Sequence, residues 1–509
     1  MAVARTRAVA LRGIDGALVE VQADIASGLP GLSFTGLGDA AVMEARDRIR
    51  SAIVNSGARW PDRRITLALL PADVRKVGSR FDLAMALAVL CAAGVIRQRA
   101  VSDTVWVAEL GLDGELRAVR GVLPAVLAAR ACGARRVVVA AGNAAEAGLV
   151  GGIEVLAAAD LRQLLHWLTT GDGAPPCAVA GNGPTLSRSP DLAEVAGQEA
   201  AKRAIEVSAA GAHHLYMVGP PGAGKTMLAE RLPGLLPRLD DDAALAVSAV
   251  HSVIGQFSAE SGLIRQPPFQ APHHSASIAA LVGGGSGLAA PGAISLAHHG
   301  ILFLDEAPQF APVVLDSLRQ PLESGRVTLH RSGGAVTYPA RFLLVLAANP
   351  CPCGSRGPEC TCAPLARRRY LQRLSGPLLD RVDVRVQVDP VPRATLLRDD
   401  DVRETSRIVA GRVAQARATA RERWRPLGVS VNAAVPGATL RTQKWRLGRS
   451  AVQVAERYLE RGQLSARGFD RVLRLAWTVA DLGGHVAPDA GDVGEALFLR
   501  TGTENSWAA

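Results

Sequence analysis

Residues 219–226 read Gly-Pro-Pro-Gly-Ala-Gly-Lys-Thr and follow a short apolar run, residues 215–218, that suits a buried strand. Few folds accommodate that octapeptide in that place. Its glycines turn successive backbone N–H groups toward the β- and γ-phosphates of a nucleotide, Lys225 sets a point charge there, and the Thr226 hydroxyl faces magnesium. Gly219, Pro220, Pro221, Gly222, Ala223 and Gly224 shape the cradle itself. The apolar residues from Met227 to Leu236 are expected to start a helix, whose N-terminus adds its dipole to the anion site. The cofactors expected on these grounds are ATP and Mg2+.

Of the 57 lysines and arginines only four are lysine, at 76, 202, 225 and 444. A chain that writes arginine wherever either cation serves has kept a compact ammonium in the loop, where a planar guanidinium does not fit. The same bias weakens what the net charge of +10 and pI near 9.7 say about partners. Basicity permits a nucleic-acid partner without requiring one. With 509 residues, 48% of them apolar, there is core enough for two or three domains. No uninterrupted apolar stretch spans a bilayer and residues 1–12 hold no signal-peptide core, so a soluble cytoplasmic protein with no membrane partner is expected. Seven cysteines in so long a chain do not read as a disulfide scaffold.

Residues 171–191 are crowded with Gly, Pro, Ser and Asn and read as a linker. Before it, an α+β domain (1–170) is indicated by strands at 65–70, 105–110 and 136–140 and by helices at 81–93 and 122–132. After it, strands and helices alternate through 192–390 as a parallel-sheet nucleotide-binding core. The remainder, 391–509, turns helical and arginine-rich and reads as a lid.

Ile301-Leu302-Phe303-Leu304-Asp305-Glu306 is an apolar strand ending in two acids, which places Asp305 on magnesium and lets Glu306 polarise the attacking water. A third strand, 342–348, ends at Asn349, readable either as a carboxamide orienting water at the γ-phosphate or as an ordinary polar strand end. Arg381, after a helix end, is a candidate finger for a neighbouring subunit's nucleotide. Arg467, opening a late helix, is a candidate clamp from the lid.

Cys351-Pro-Cys353 and Cys360-Thr-Cys362 put four soft ligands within twelve residues. They suit a tetrahedral Zn2+ site, with free or redox-active thiols as the other reading. Two histidine pairs, His273-His274 and His298-His299, are read as structural or nucleotide-coupling, because neighbours in an extended segment point to opposite faces. Residues 403–425 carry seven arginines against Glu404 and Glu422, several at four-residue spacing. That stripe fits DNA phosphates or a merely solvated face. Residues 326–338 alternate as a β-hairpin around Ser332-Gly333-Gly334. Its tip, His330 and Arg331, has the same two readings. Residues 254–287, rich in Gly, Pro and His, are expected to be an insertion.

The blocks Ala271-Pro272-His273-His274-Ser275-Ala276-Ser277, Gly283-Gly284-Gly285 and Pro291-Gly292-Ala293-Ile294-Ser295 resemble the magnesium-chelatase-like branch of AAA+ ATPases, specifically the ComM/YifB family. So do Gly197-Gln198, Asn349-Pro350-Cys351-Pro352-Cys353-Gly354 and Ser375-Gly376-Pro377-Leu378-Leu379-Asp380-Arg381, and the resemblance covers nearly the whole chain. It implies an α/β AAA+ P-loop core with a parallel sheet and α-helical lid, Asn349 as sensor, Arg381 as finger and Arg467 as second sensor. It also implies a homohexameric ring with a pore-facing hairpin, DNA (single-stranded or branched) and recombination proteins as partners, and branch migration in natural transformation as the activity.

The N-terminal part resembles the Lon-protease catalytic fold, of ribosomal S5 domain 2-like type, through Lys76-Val77-Gly78-Ser79-Arg80-Phe81-Asp82 and Asp113-Gly114-Glu115-Leu116. Where that family has its serine nucleophile stands Arg80, and where it has its lysine base stands Leu123. Ser79, one place away, points elsewhere, so no peptidase is expected and the domain is read as a grip for DNA or a partner. Two rivals share the core: a metal-insertion motor like the chelatase subunit, expected to lack this front domain and the paired cysteines, and a protein-remodelling ATPase.

Overall fold

A computed structural model describes residues 3–36, 38–180, 190–285, 289–331, 334–355, 360–396 and 403–502. The first strand, Ala4–Arg12, sends Ala8 and Ala10 to one face of its sheet and Val9 and Leu11 to the other, and all four are buried. Period-two burial on both faces demands cover on both sides. Helices Ala40–Asn55 and Asp82–Ala92 pack on one face and Val122–Ala131 on the other. The sheet runs Gly31–Thr35, Arg64–Leu70, Asp15–Ala26, Ala4–Arg12, Thr104–Val107, Arg136–Ala140, Glu154–Ala158, antiparallel around Asp15–Ala26 and parallel elsewhere.

Three expectations change here. Residues 105–110 are not one strand but Thr104–Val107 in the sheet and Glu109–Leu110 in a separate two-residue ladder. The strands and helix before residue 64 were absent from the sequence reading, although the alternation in Ala4–Arg12 announces the first of them. The linker is partly structured: the Ala157 N–H donates to Pro176 O (3.0 Å) and the Ala178 N–H to Val155 O (2.8 Å), so the chain runs antiparallel along the sheet edge. Residues 181–189 lie outside the described residues.

The second sheet is fully parallel, in the order Phe269–Gln270, Ile301–Leu304, Leu343–Ala348, Leu215–Val218, Val384–Gln387. Residues 254–287 are therefore no mere insertion, since they supply the edge strand Phe269–Gln270. Lid helices Ser406–Trp424, Ala466–Gly483 and Ala490–Thr501 share one apolar cluster with the sheet, Val413, Leu475 and Val493 lying with Leu215, Met217 and Val384. The N-terminal domain also touches the core. Ala249, on helix Asp241–Val253, joins the cluster of Val122 and Val126, and the Gly121 N–H donates to Ser252 O (3.1 Å). Among the described residues no helix is long and apolar enough to cross a membrane.

Candidate active site

Leu215–Val218 is an interior strand between two parallel neighbours, so the chain leaves the sheet at its carboxyl edge, where doubly wound folds place ligands. It must turn at once. A Cβ on Gly219 would sit 2.0 Å from Val388 O, and Gly222 and Gly224 take φ of +75° and +93°. That backbone belongs to glycine. Gln198 pins the loop from behind, its Nε2 donating to Ala223 O (3.0 Å) and Asp389 O (2.6 Å). The helix starts at Lys225, two residues earlier than expected, and stops at Ala229 before the short Leu232–Leu235. Pro233 has no N–H to return to Ala229 O, which breaks the run.

Lys225 is 8% exposed, with Nζ donating to Gly219 O (2.7 Å), Pro220 O (2.9 Å) and Asn349 Oδ1 (3.0 Å). Burial lowers its pKa from the ordinary lysine value, while the carboxylates of Asp305 and Glu306 act in the opposite sense. Thr226 Oγ1 donates to Asp305 Oδ2 at 2.7 Å. A hydroxyl and a carboxylate thus converge from two adjoining elements, the hard oxygen set that Mg2+ takes, so these residues fit the ion.

Glu306 is non-glycine at φ 48°, ψ 42°. Left-handed backbone at such a residue costs on the order of 1–3 kcal/mol and persists where its surroundings over-determine it. Here the Glu306 N–H donates to Asp305 Oδ1 (2.8 Å), and His274 Nδ1 lies 3.7 Å from Glu306 Oε2. Contrary to the opposite-face expectation, the paired histidine rings touch, at 4.0 Å between centroids for His273–His274 and 4.1 Å for His298–His299. Both pairs sit in turns, where period-two alternation does not apply. His298 is buried, its pKa lowered to about 3 by burial, and its Nδ1 accepts from the Arg341 N–H (3.1 Å).

Arg381 is held within its own chain by Glu323 and by Pro377 O (2.6 Å). The lid grips the backbone around it: Arg471 donates to Arg381 O (3.1 Å) and pairs with Asp383, while Arg500 donates to Val382 O and Asp380 Oδ1 (3.4 Å). Asp383 continues to His213 Nδ1 (3.0 Å), whose Nε2 meets Thr478 Oγ1 at 2.8 Å on the same helix as Arg471. Arg467 is exposed in the first turn of that helix, which Ser465 caps. Among the described residues neither Arg381 nor Arg467 bonds a side chain of the phosphate loop. Sequence reasoning missed Arg471, Arg500 and His213. The spacing of Arg467, Arg471, Arg474, Thr478 and Asp481 was the available signal, one polar stripe along an otherwise buried helix.

Arginines 403–425 do not form a free basic face. Arg412 pairs with Glu206 (2.6 Å) and Glu404 (2.6 Å), Arg417 donates to Ala209 O (2.8 Å), and Arg423 pairs with Asp481 beneath the Trp477 ring. Arg407, Arg421 and Arg425 remain exposed. The hairpin Arg326–Arg331 with Gly334–Pro339 forms as expected, and the N-terminal domain lies against the middle of its second strand: a Cβ on Gly13 would meet Val336 at 2.9 Å. Its tip residues Ser332 and Gly333 lie outside the described residues, and His330 is exposed.

The four thiols do come together. All four sulfurs lie within 4.8 Å of one another, with Cys351–Cys353 at 3.1 Å, Cys351–Cys360 at 3.4 Å and Cys353–Cys360 at 3.7 Å. Zn–S bonds of about 2.3 Å in a tetrahedron require sulfurs about 3.8 Å apart, so Cys351, Cys353, Cys360 and Cys362 fit that ion. In the N-terminal domain, Arg80 donates to Arg120 O (3.1 Å), Leu123 is fully buried, and the Ser79 hydroxyl is bonded to Glu109. Lys76 Nζ is directed to Pro71 O.

A parallel five-stranded sheet, a phosphate loop after an interior strand and an acid pair on the second strand over define a P-loop protein of the AAA+ type. Family models described as "Magnesium chelatase, subunit ChlI", "Subunit ChlI of Mg-chelatase" and "Magnesium chelatase, subunit ChlI C-terminal" match residues 191–396, 21–143 and 403–500. An uncharacterized protein of Mycobacterium tuberculosis is 52% identical over 505 residues, 98% of this chain and 99% of that one. YifB of Escherichia coli is 41% identical over 95% of this chain and 93% of its own length, and the competence protein ComM of Haemophilus influenzae 40% identical over 96% and 95%. The chain belongs to the ComM/YifB family of magnesium-chelatase-like proteins. A magnesium-chelatase 67 kDa subunit of Heliobacterium mobile matches 37% of this chain at 30% identity. A model with a chelatase description also matches residues 21–143, while the chelatase subunits of Heliobacterium mobile and Rhodobacter capsulatus match only 37% and 31% of this chain.

Proposed function

We propose that this protein is a cytoplasmic ATP-hydrolysing ring motor, a homohexamer that acts on single-stranded or branched DNA and drives branch migration in recombination and natural transformation. The observation carrying the ATPase part is that the adjacent residues Lys225 and Thr226 bond the strand-end residues Asn349 and Asp305. Near-full-length similarity to a competence protein supports the DNA part. In this reading Lys225 leaves its loop carbonyls for the β- and γ-phosphates. Thr226 and Asp305 hold Mg2+, which when bound neutralises charge developing on the phosphate oxygens. Glu306, locked by its strained backbone, takes up the proton of the attacking water, and Asn349 orients that water. Arg381 serves the neighbouring subunit after release from Glu323, and Arg467 clamps from the lid. One Zn2+ on the four cysteines is part of the same proposal. Recombination proteins are the expected partners.

The test is ATP turnover by purified protein with and without single-stranded and branched DNA, then displacement of a labelled strand from a junction. Stimulation and ATP-dependent exchange, both absent in Lys225→Ala, are expected. Turnover indifferent to every DNA tested refutes the DNA motor and leaves the chelatase-type and protein-remodelling readings.

A further inference from the structure

The cysteine cluster is not remote from the nucleotide loop. A Cβ added to Gly354, which sits at φ +80° directly after Cys353, would lie 2.6 Å from Pro221 Cγ and 2.7 Å from its Cδ. The backbone at Gly354 therefore packs closely against the proline ring of the phosphate loop. Cys351 follows Asn349 by two residues, and Asn349 bonds Lys225 through its side chain while its backbone is hydrogen-bonded to Tyr370. The loop is also tied to this strand's end, the Gly219 N–H donating to Ala348 O (3.1 Å). Residues 348–354 thus form one wall of the phosphate loop. Neither a helix nor a strand holds residues 350–355.

Something must fix that wall, and the candidates within it are the four sulfurs and the Tyr370 contact. Cys351 is buried and faces inward, whereas Cys353 is exposed. Thiols at 3.1–3.7 Å make poor mutual partners, and a divalent ion that takes four thiolates joins such a set into a closed knuckle.

Resting on the zinc reading above, we propose that the ion bound by Cys351, Cys353, Cys360 and Cys362 is a determinant of the nucleotide site: it holds Gly354 against Pro221 and sets Asn349 at Lys225. Metal occupancy then governs both the shape of the phosphate loop and the placement of the sensor. The ion takes no part in chemistry. The four cysteines would act on the site through the Gly354–Pro221 contact.

Two samples of the full chain test this: protein stripped of zinc by a zinc-selective chelator and returned to Mg2+ buffer, and Gly354→Ala. Zinc per chain is measured by plasma mass spectrometry, nucleotide affinity by a fluorescent ATP analogue, and Co2+ substitution by its thiolate absorption. The wild type should carry about one zinc per chain, and the stripped protein should lose turnover about tenfold and recover it when Zn2+ is returned. Gly354→Ala should keep its zinc yet bind the analogue about tenfold more weakly, because the new methyl displaces Pro221. A wild type that holds neither zinc nor Co2+ overturns the metal reading and the inference with it. Zinc present at one per chain, with affinity and turnover unchanged in both altered samples, overturns the coupling and leaves the metal reading intact.

Discussion

Removing the Asn349 side chain should tighten nucleotide binding while slowing turnover. Lys225 Nζ donates to Asn349 Oδ1 at 3.0 Å, and that bond must break before the ammonium can reach a phosphate. A hydrogen bond to a charged group contributes about 1.5–3 kcal/mol. Nζ keeps Gly219 O and Pro220 O, and Asn349 is partly open to water, so the lower end applies. Relief of about 1.4 kcal/mol of competition lowers Kd about tenfold. Loss of a group that orients the attacking water costs on the order of 10²-fold in kcat. Asn349→Ala is therefore expected to lower Kd for a non-hydrolysable analogue, measured by titration calorimetry, while steady-state turnover falls. Unchanged turnover with unchanged or weaker binding would refute the reasoning, since it would make the Lys225 contact incidental.

Three further outcomes are expected. Gly219→Ala, which drives a methyl to 2.0 Å from Val388 O, should lose analogue binding, whereas Gly222→Ala has open space, suffers only its φ of +75° and should weaken binding by about 1–2 kcal/mol; a reversed order counts against the cradle geometry. Arg381→Ala should bind nucleotide normally and lose about 10³-fold or more in turnover, and mixing it with Lys225→Ala should restore activity if the finger acts in trans; a silent mixture excludes that route. Burial raises the Asp383 pKa, but the Arg471 guanidinium and the His213 hydrogen bond outweigh it and hold the carboxyl well below the usual range. Its folded pKa is depressed, so its contribution to stability is present above the unfolded value near pH 3.9 and drains away as pH falls below it. Asp383→Asn should melt lower at neutral pH and show a flatter loss between about pH 4 and pH 2; parallel melting curves for the two proteins would exclude the pairing.

What was legible in the sequence was local. The phosphate loop and the acid pair announce themselves because each motif is contiguous and carries its own strand, and the four cysteines because their spacing is short. What was not legible depended on distant partners. The arginines of helix Ser406–Trp424 looked like a phosphate-binding stripe, but Arg412, Arg417 and Arg423 are spent on Glu206, Ala209 O and Asp481, up to about two hundred residues away. Arginine excess in composition cannot show which cations are already paired. The histidine pairs failed for another reason: a strand rule was applied to turns. Residues 254–287 hid a two-residue edge strand, too short for any periodicity. The grip of Arg500 on the segment bearing Arg381 had no local signature, since its partner carbonyl lies more than a hundred residues away.

That grip makes the last domain a rocker arm. Helix Ala466–Gly483 carries Arg467 at its outer tip, Arg471 one turn inward and Thr478 nearer its far end, and the latter two are bolted to the strand end at 380–383 and to His213. A swing of the lid that left residue 381 behind would break several charged hydrogen bonds at about 1.5–3 kcal/mol each. Moving the arm as one piece breaks none of them. Whatever pushes on the tip at Arg467 is therefore felt at Arg381, through the Arg471 bond one turn further along the same helix.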